Sequence, residues 1–377
     1  MRILMVTDTY APARNGVAMW VSLSVRVLRA QGHEVDVLTY RHDRREPGQP
    51  GMHELPAWAG LDPDFKVAPI LSGLPDSLGG RRYDVVHVHH PILLGPVGVR
   101  LGRSLGAKVA FTCHSVYTDY LDEYYWGIGR VAKPRVERST ARFCDSCDVV
   151  FAPSSRVWRW LRACGATVRV EQLEAPADTD RVRRTDRAGA RAELGLDDRP
   201  VAFYVGRIAD EKRVEDLVRE FACGVLPSSP DALLALGGSG RRVPAVRRDI
   251  ARGRLEGNVR LLGPLDAHDL SLWYSAADVC ASASHSETGP LTVVEAMSCG
   301  CPSVALRAPG FEDRIVDGVN GLLADHGEGS LGAALSRVLT DPVERSRLST
   351  GALGRAPHYT PEAVTSSMLA VYESLFA

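Results

Sequence analysis

The sequence predicts an α/β protein of two doubly wound domains in series, and three observations carry that expectation. The chain has 377 residues, more than one hydrophobic core ordinarily serves. Short β-branched apolar runs alternate with stretches of helical character, the pattern of buried parallel strands joined by crossover helices. A polar, charged stretch over 179–199 interrupts the alternation, which then begins again.

In order, the runs 2–7, 34–39, 84–89, 108–113, 148–152 and 168–172 read as strands, with helix signals at 16–30, 134–143 and 156–164. They make up a first domain, 1–178. The linker 179–199 carries Arg181, Arg183 and Arg184 and a short helical stretch before Asp197-Asp198-Arg199. The second domain, 200–355, has strands at 201–205, 232–236, 259–262, 278–282 and 303–306, with helices at 214–221, 243–252, 267–276 and 290–298. A helix within 356–377 is expected to pack back on the first domain. The cleft between two such domains is the default ligand site.

Composition removes several function classes. Lys and Arg total 45 against 46 Asp and Glu, a net charge of −1, so the basic footprint of nucleic-acid binding is missing. Arg2 interrupts the N-terminal apolar stretch too early for a signal peptide. The longest apolar stretch, 91–99, falls well short of the roughly 20 residues that a membrane span needs. A soluble, cytoplasmic protein is expected. Of the eight cysteines, Cys144-x-x-Cys147 and Cys299-x-Cys301 resemble metal or disulfide spacings, but reduced core thiols suit a large chain without an export signal better. Lys66, Lys108, Lys133 and Lys212 are the only lysines. In so Arg-rich a chain, a retained Lys marks a position where the two are not interchangeable.

Two clusters carry candidate chemistry. Gly206-Arg207-x4-Lys212 follows the first strand of the second domain, where Arg207 and Lys212 can meet an anionic group; a solvated loop is the alternative. The string Glu287-Thr288-Gly289-Pro290-Leu291 runs into a helix start, since Pro suits the first turn, and exposed amides there can hold a phosphate or a sugar hydroxyl. Glu295 follows in the second turn. Gly238-Ser239-Gly240 imitates a dinucleotide fingerprint without its third small residue, and reads as a turn opening a helix. Asp178-Thr179-Asp180 imitates a metal-nucleotide motif, but from a linker position.

Glu287-x7-Glu295 with Ala296-Met297-x-x-Gly300-x-Pro302, preceded by Gly206-Arg207-x4-Lys212, resembles the retaining glycosyltransferases of family 4, whose GT-B architecture has two Rossmann-like domains facing across a cleft. Gly263, Tyr274-x-x-Ala277-Asp278 and Gly318-x-x-Gly321 also fall where that family has them. Asp8-Thr9-Tyr10-Ala11-Pro12-x-x-Asn15-Gly16-Val17, Thr112-Cys113-His114-Ser115 and Tyr117-x-Asp119-Tyr120 resemble its branch of diacylglycerol glucosyltransferases and GDP-mannose-dependent mannosyltransferases.

The resemblance implies transfer from a UDP- or GDP-linked sugar, without a metal. Arg207 and Lys212 would neutralise the donor diphosphate, with Thr288, Gly289, Pro290 and Leu291 beside it. Glu295 would hold the ribose, and Glu287 the transferred sugar. Gly16 would permit close approach of donor and acceptor, and His114 would face the transferred sugar. Asn15, Tyr117, Asp119, Tyr120 and Asp122 are the acceptor candidates. The acidic and aromatic segment 114–126 has no Lys or Arg and suits a small polar, cationic acceptor; packing of its tyrosines as a helix face is the alternative. A membrane-associated glycolipid enzyme and a non-catalytic sugar-nucleotide-binding protein are the rival functions. Ala175-Pro176-Ala177-Asp178 departs from the family by lacking a Gly in the turn.

Overall fold

The computed structural model describes all residues except 14, 43–49, 63–64, 68–77, 79, 120–128, 286 and 288, and the backbone alone of 58–62, 65–67 and 129–131. The chain forms two units: Met1–Pro176 together with Pro361–Ala377, and Ala177–Thr360.

In the first unit, β1 (Arg2–Val6), β2 (Glu34–Tyr40), β3 (Met52–Leu55), β6 (Val85–Val88), β7 (Lys108–Thr112), β8 (Val149–Ala152) and β9 (Val170–Gln172) form one sheet in the order β3-β2-β1-β6-β7-β8-β9. All its pairings are parallel. The strands β4 (Trp58–Asp62) and β5 (Phe65–Val67) pair separately and antiparallel. The crossover helices described are α1 (Gly16–Ala30), α2 (Leu94–Leu105), α3 (Gly129–Asp145) and α4 (Ser155–Ala163). Near-continuous apolar strands such as Ile3-Leu4-Met5-Val6 are buried on both faces, as crossover helices require. The C-terminal helix Pro361–Ser374 returns to this unit, where Met368 and Tyr372 share a core cluster with Trp20, Val25 and Leu28 of α1.

The second unit runs α5 (Arg187–Glu193), β10 (Val201–Val205), α6 (Val214–Gly224), β11 (Leu233–Gly237), α7 (Val243–Gly253), β12 (Val259–Gly263), α8 (Ala267–Ala276), β13 (Val279–Ser282), α9 (Leu291–Ser298), β14 (Ser303–Leu306), α10 (Pro309–Glu312), β15 (Gly321–Ala324), α11 (Ser330–Thr340) and α12 (Pro342–Arg355). Its parallel sheet has the order β12-β11-β10-β13-β14-β15. Strand order reverses between β1 and β6 in one unit and between β10 and β13 in the other. Ligands of such sheets bind outside the carboxyl ends of the strands at that point.

The stretch 179–199, expected as a linker, is instead part of the second unit. Arg191 is buried and donates from Nη1 to the Ala276 carbonyl at 2.9 Å, while Arg187 Nη2 reaches Asp278 Oδ1 at 2.7 Å. Its charges look like linker polarity along the chain because they serve carboxylates and carbonyls distant in sequence. The boundary falls at Ala177, and residues 356–360 also stay with the second unit. The eight cysteines are free thiols, most of them buried. Among the described residues no helix is long and apolar enough to cross a membrane.

Candidate active site

In the second unit, the turn after β10 and the loop after β13 meet where the sheet reverses. A 3-10 turn, Asp210–Lys212, ends at Arg213, whose left-handed backbone (φ 49°) starts α6. This brings Lys212 to Glu287, Nζ to Oε1 at 2.5 Å, with both side chains largely buried. Ser284 Oγ donates to the Glu211 carbonyl at 3.3 Å and joins the two loops again. Arg207 is exposed and pairs with Glu211 at 3.0 Å. The segment after β11 runs alongside, with the Ile208 amide donating to the Ser239 carbonyl at 2.9 Å; Gly238-Ser239-Gly240 is a turn before α7.

The helix α9 begins at Leu291, with Pro290 at its N-cap and, among the described residues, no side-chain cap and no acid in the first turn. Its leading amides therefore form an anion-attracting end, adjoining Gly289. Glu295 sits one turn further on, where Oε2 accepts from the hydroxyl of the buried Tyr274 at 3.0 Å. Burial pushes the Glu295 carboxyl up to about 7, against the opposing pull of the Tyr274 hydrogen bond and of Arg181. Thr288 lies outside the described residues.

In the first unit, the carboxyl ends of β1, β6 and β7 gather Asp8, His89, His90 and His114. Asn15 caps α1 by accepting from the Ala18 amide at 2.9 Å, and its own amide donates to Thr9 Oγ1 at 2.8 Å. Gly16 opens that helix at an exposed position with open space around it. Nε2 of His114 lies 3.0 Å from Nδ1 of His89. Asp8 accepts from the Leu94 amide at 3.1 Å, and burial raises its carboxyl to about 7.

The acceptor candidates are dispersed. Tyr117 lies edge-on to Trp160, ring centroids 5.9 Å apart, against the unit's core. Asp119 is paired with Arg156 at 2.7 Å. Tyr120 and Asp122 lie outside the described residues.

Residues 14–181 match the model of glycosyltransferase family 4, and residues 186–354 that of glycosyl transferases group 1. Over 394 aligned residues the chain is 30% identical to a D-inositol 3-phosphate glycosyltransferase of Actinosynnema mirum, covering 95% of this chain and 91% of that one. The chain is a family 4 glycosyltransferase. It is also 28% identical over 356 residues to the alpha-monoglucosyldiacylglycerol synthase of Streptococcus pneumoniae, covering 91% and 79% of the two chains. The sucrose-phosphate synthase of Thermosynechococcus elongatus has the same GT-B fold at 23% identity, with a TM-score of 0.78 over 100% of this chain and 99% of that one.

Sequence reasoning about this glycosyltransferase left four positions out of its site candidates. Tyr274 was noticed as a motif position but not as the partner of Glu295. Asp8 and His89 stand at strand ends, where the run His87-Val88-His89-His90 was the available signal. Gly310 was missed as well: a Cβ there would lie 2.3 Å from the Glu287 carbonyl oxygen, so the Pro309-Gly310 turn supports the loop that carries Glu287.

Proposed function

We propose that the glycosyltransferase moves a sugar from a nucleotide diphosphate sugar to a small polar acceptor, with retention of anomeric configuration and without a metal ion. The observation that carries this reading is the Lys212–Glu287 pair beside the uncapped start of α9, at the strand-order reversal of the second sheet. A cation, a helix start that Pro290 leaves without a side-chain cap, and a carboxylate together match a diphosphate bonded to a hydroxylated sugar. Lys212 and Arg207 would neutralise the diphosphate, Glu295 would accept from the ribose hydroxyls, and Glu287 would accept from the transferred sugar. His114 would be the first unit's contact to that sugar.

The bond from the anomeric carbon to the phosphate oxygen breaks while the acceptor oxygen bonds to the same face, and the acceptor proton passes to the departing phosphate. The protein then acts by positioning and by stabilising the charge that develops on the leaving group. The name of the Actinosynnema relative, at 30% identity, supports a small hydroxylated acceptor. Cationic character in that acceptor has less support, because Asp119 is already neutralised by Arg156 and Tyr117 is packed against Trp160.

A glycolipid acceptor is the second reading. It is favoured by exposed Arg135, Arg138 and Arg142 on α3 and by the name of the Streptococcus relative. Turnover of UDP- and GDP-linked sugars with soluble polyols and with liposome-borne diacylglycerol separates the two. Use of the soluble acceptor, an axial product anomer by NMR from an axial donor, and full activity after chelation are expected. An inverted product, or a chelator-abolished activity that magnesium restores, would overturn retention or metal independence respectively.

A further inference from the structure

We propose that His89 is a positioning residue for His114, fixing its tautomer so that Nδ1 carries the proton and stands as a hydrogen-bond donor. The functional consequence rests on His114 being the residue that meets the transferred sugar.

His89 lies at the end of β6, fully buried, and His114 follows β7. Their rings lie edge to edge, planes 26° apart and centroids 5.3 Å apart, and Nδ1 of His89 is 3.0 Å from Nε2 of His114. Burial and the neighbouring imidazoles hold both rings well below the ordinary histidine range, so both are neutral near pH 7. Two neutral imidazoles joined in this way share one proton, and only two arrangements exist.

In the first, His114 donates from Nε2, and the proton of His89 must sit on its own Nε2. That atom is buried and has no hydrogen-bond partner among the described residues. It lies amid the rings of Trp20 and His87, whose centroids are 5.1 and 4.3 Å from that of His89. His87 offers no acceptor, since Thr112 Oγ1 at 2.7 Å and the Tyr372 hydroxyl occupy its two nitrogens. In the second, His89 donates from Nδ1, its Nε2 is a bare nitrogen, and the proton of His114 moves to Nδ1. A buried N–H without an acceptor is the rarer and costlier defect, so the second arrangement prevails. His114 then donates to a sugar hydroxyl and cannot take up a proton at that nitrogen.

The test is a long-range ¹H–¹⁵N correlation spectrum of the full chain with labelled histidine and no ligand, assigned by the signal lost in His114→Ala. A protonated Nδ1 and a bare Nε2 are expected for His114. His89→Asn keeps an amide donor near the Nδ1 position and should retain that tautomer. His89→Asp places an acceptor opposite Nε2 of His114, which should then become protonated, and kcat should fall about tenfold or more while nucleoside diphosphate affinity stays unchanged. A wild-type His114 protonated at Nε2, or a His89→Asp variant whose His114 keeps a bare Nε2, overturns the proposal. If His89→Asp does not fold, the wild-type and His89→Asn spectra still decide it. Undiminished turnover in His114→Ala alongside an Nδ1-protonated wild type would instead defeat the sugar-facing reading and leave the tautomer assignment standing.

Discussion

Nζ of Lys212 lies 2.5 Å from Oε1 of Glu287, joining the turn after β10 to the loop after β13 across 75 residues of sequence. Lys212 therefore has a counter-ion before any donor arrives, and a donor diphosphate bound there would share a cation that is already oriented. Lys212→Ala is expected to cost about 2 to 5 kcal/mol in kcat/KM, the range for removing one partner of a desolvated charge contact. Part of that cost is the Glu287 carboxylate left unpaired, so the double variant Lys212→Ala, Glu287→Gln should cost less than the sum of the singles. Additive losses in steady-state kinetics would show that the two act independently.

Arg207 makes a useful contrast, being 67% exposed and paired, among the described residues, only with Glu211. Its pair adds little to stability. Arg207→Ala should lower kcat/KM by a similar margin and leave the thermal unfolding midpoint unchanged.

Glu295 supplies a pH signature. Its carboxyl stands at about 7 when no ligand is bound, whereas accepting two ribose hydroxyls favours the ionised form. Nucleoside diphosphate binding should therefore release a proton at pH 6, with affinity rising toward pH 7 and flattening above it. In Glu295→Gln that component should vanish, leaving the ligand's own titration. Calorimetry in buffers of different ionisation enthalpy measures the proton release directly.

Gly310→Ala tests the support of the Glu287 loop. The added Cβ would lie 2.3 Å from a backbone oxygen and 2.5 Å from a backbone carbon of Glu287, neither of which can rotate away. Destabilisation of about 1 to 3 kcal/mol is expected from such overpacking, together with weaker donor binding. Chemical denaturation and donor titration check both.

Asp8 carries the largest stability prediction. Its folded value of about 7 lies above the ordinary aspartate value of 3.8, so the folded state binds the proton more tightly than the unfolded chain. Its contribution is most favourable below pH 4 and declines as pH rises toward 7, a change of roughly 4 kcal/mol. Asp8→Asn should thus stabilise the protein at pH 8 by as much as roughly that amount and change little at pH 4, while its amide oxygen still accepts from Leu94. Unfolding curves at the two pH values test this; equal effects at both would contradict it.

Periodicity along the chain revealed the strands of both parallel sheets except the edge strands β3 and β15, because runs such as Ile3-Leu4-Met5-Val6 are buried on two faces and need no partner to be recognised. The helix α2 was hidden by Gly95, Pro96, Gly98 and Gly102, which argue against a helix when read locally. In the fold these glycines let the helix lie close on its sheet: a Cβ at Gly98 would meet Val88 Cγ2 at 2.8 Å, and one at Gly102 would meet Val109 Cγ2 at 2.7 Å. The strand β15 and the helices α11 and α12 were not identified either. Tertiary packing overrides local propensity in such places.

The site divides in the same way. Arg207, Lys212, Glu287 and Glu295 could be named along the chain as candidates, because phosphate and sugar ligands call for such residue types near strand ends. Which groups pair could not. That Lys212 meets Glu287, that Tyr274 holds Glu295, and that His89 meets His114 all depend on which strands lie side by side. The β10–β13 and β6–β7 pairings set those distances, and hydrogen bonds and burial act over a few ångströms of space rather than over any spacing in sequence. Asp119 shows the converse: its acidity was visible in the chain, but only the folded contact with Arg156 shows that its charge is already balanced.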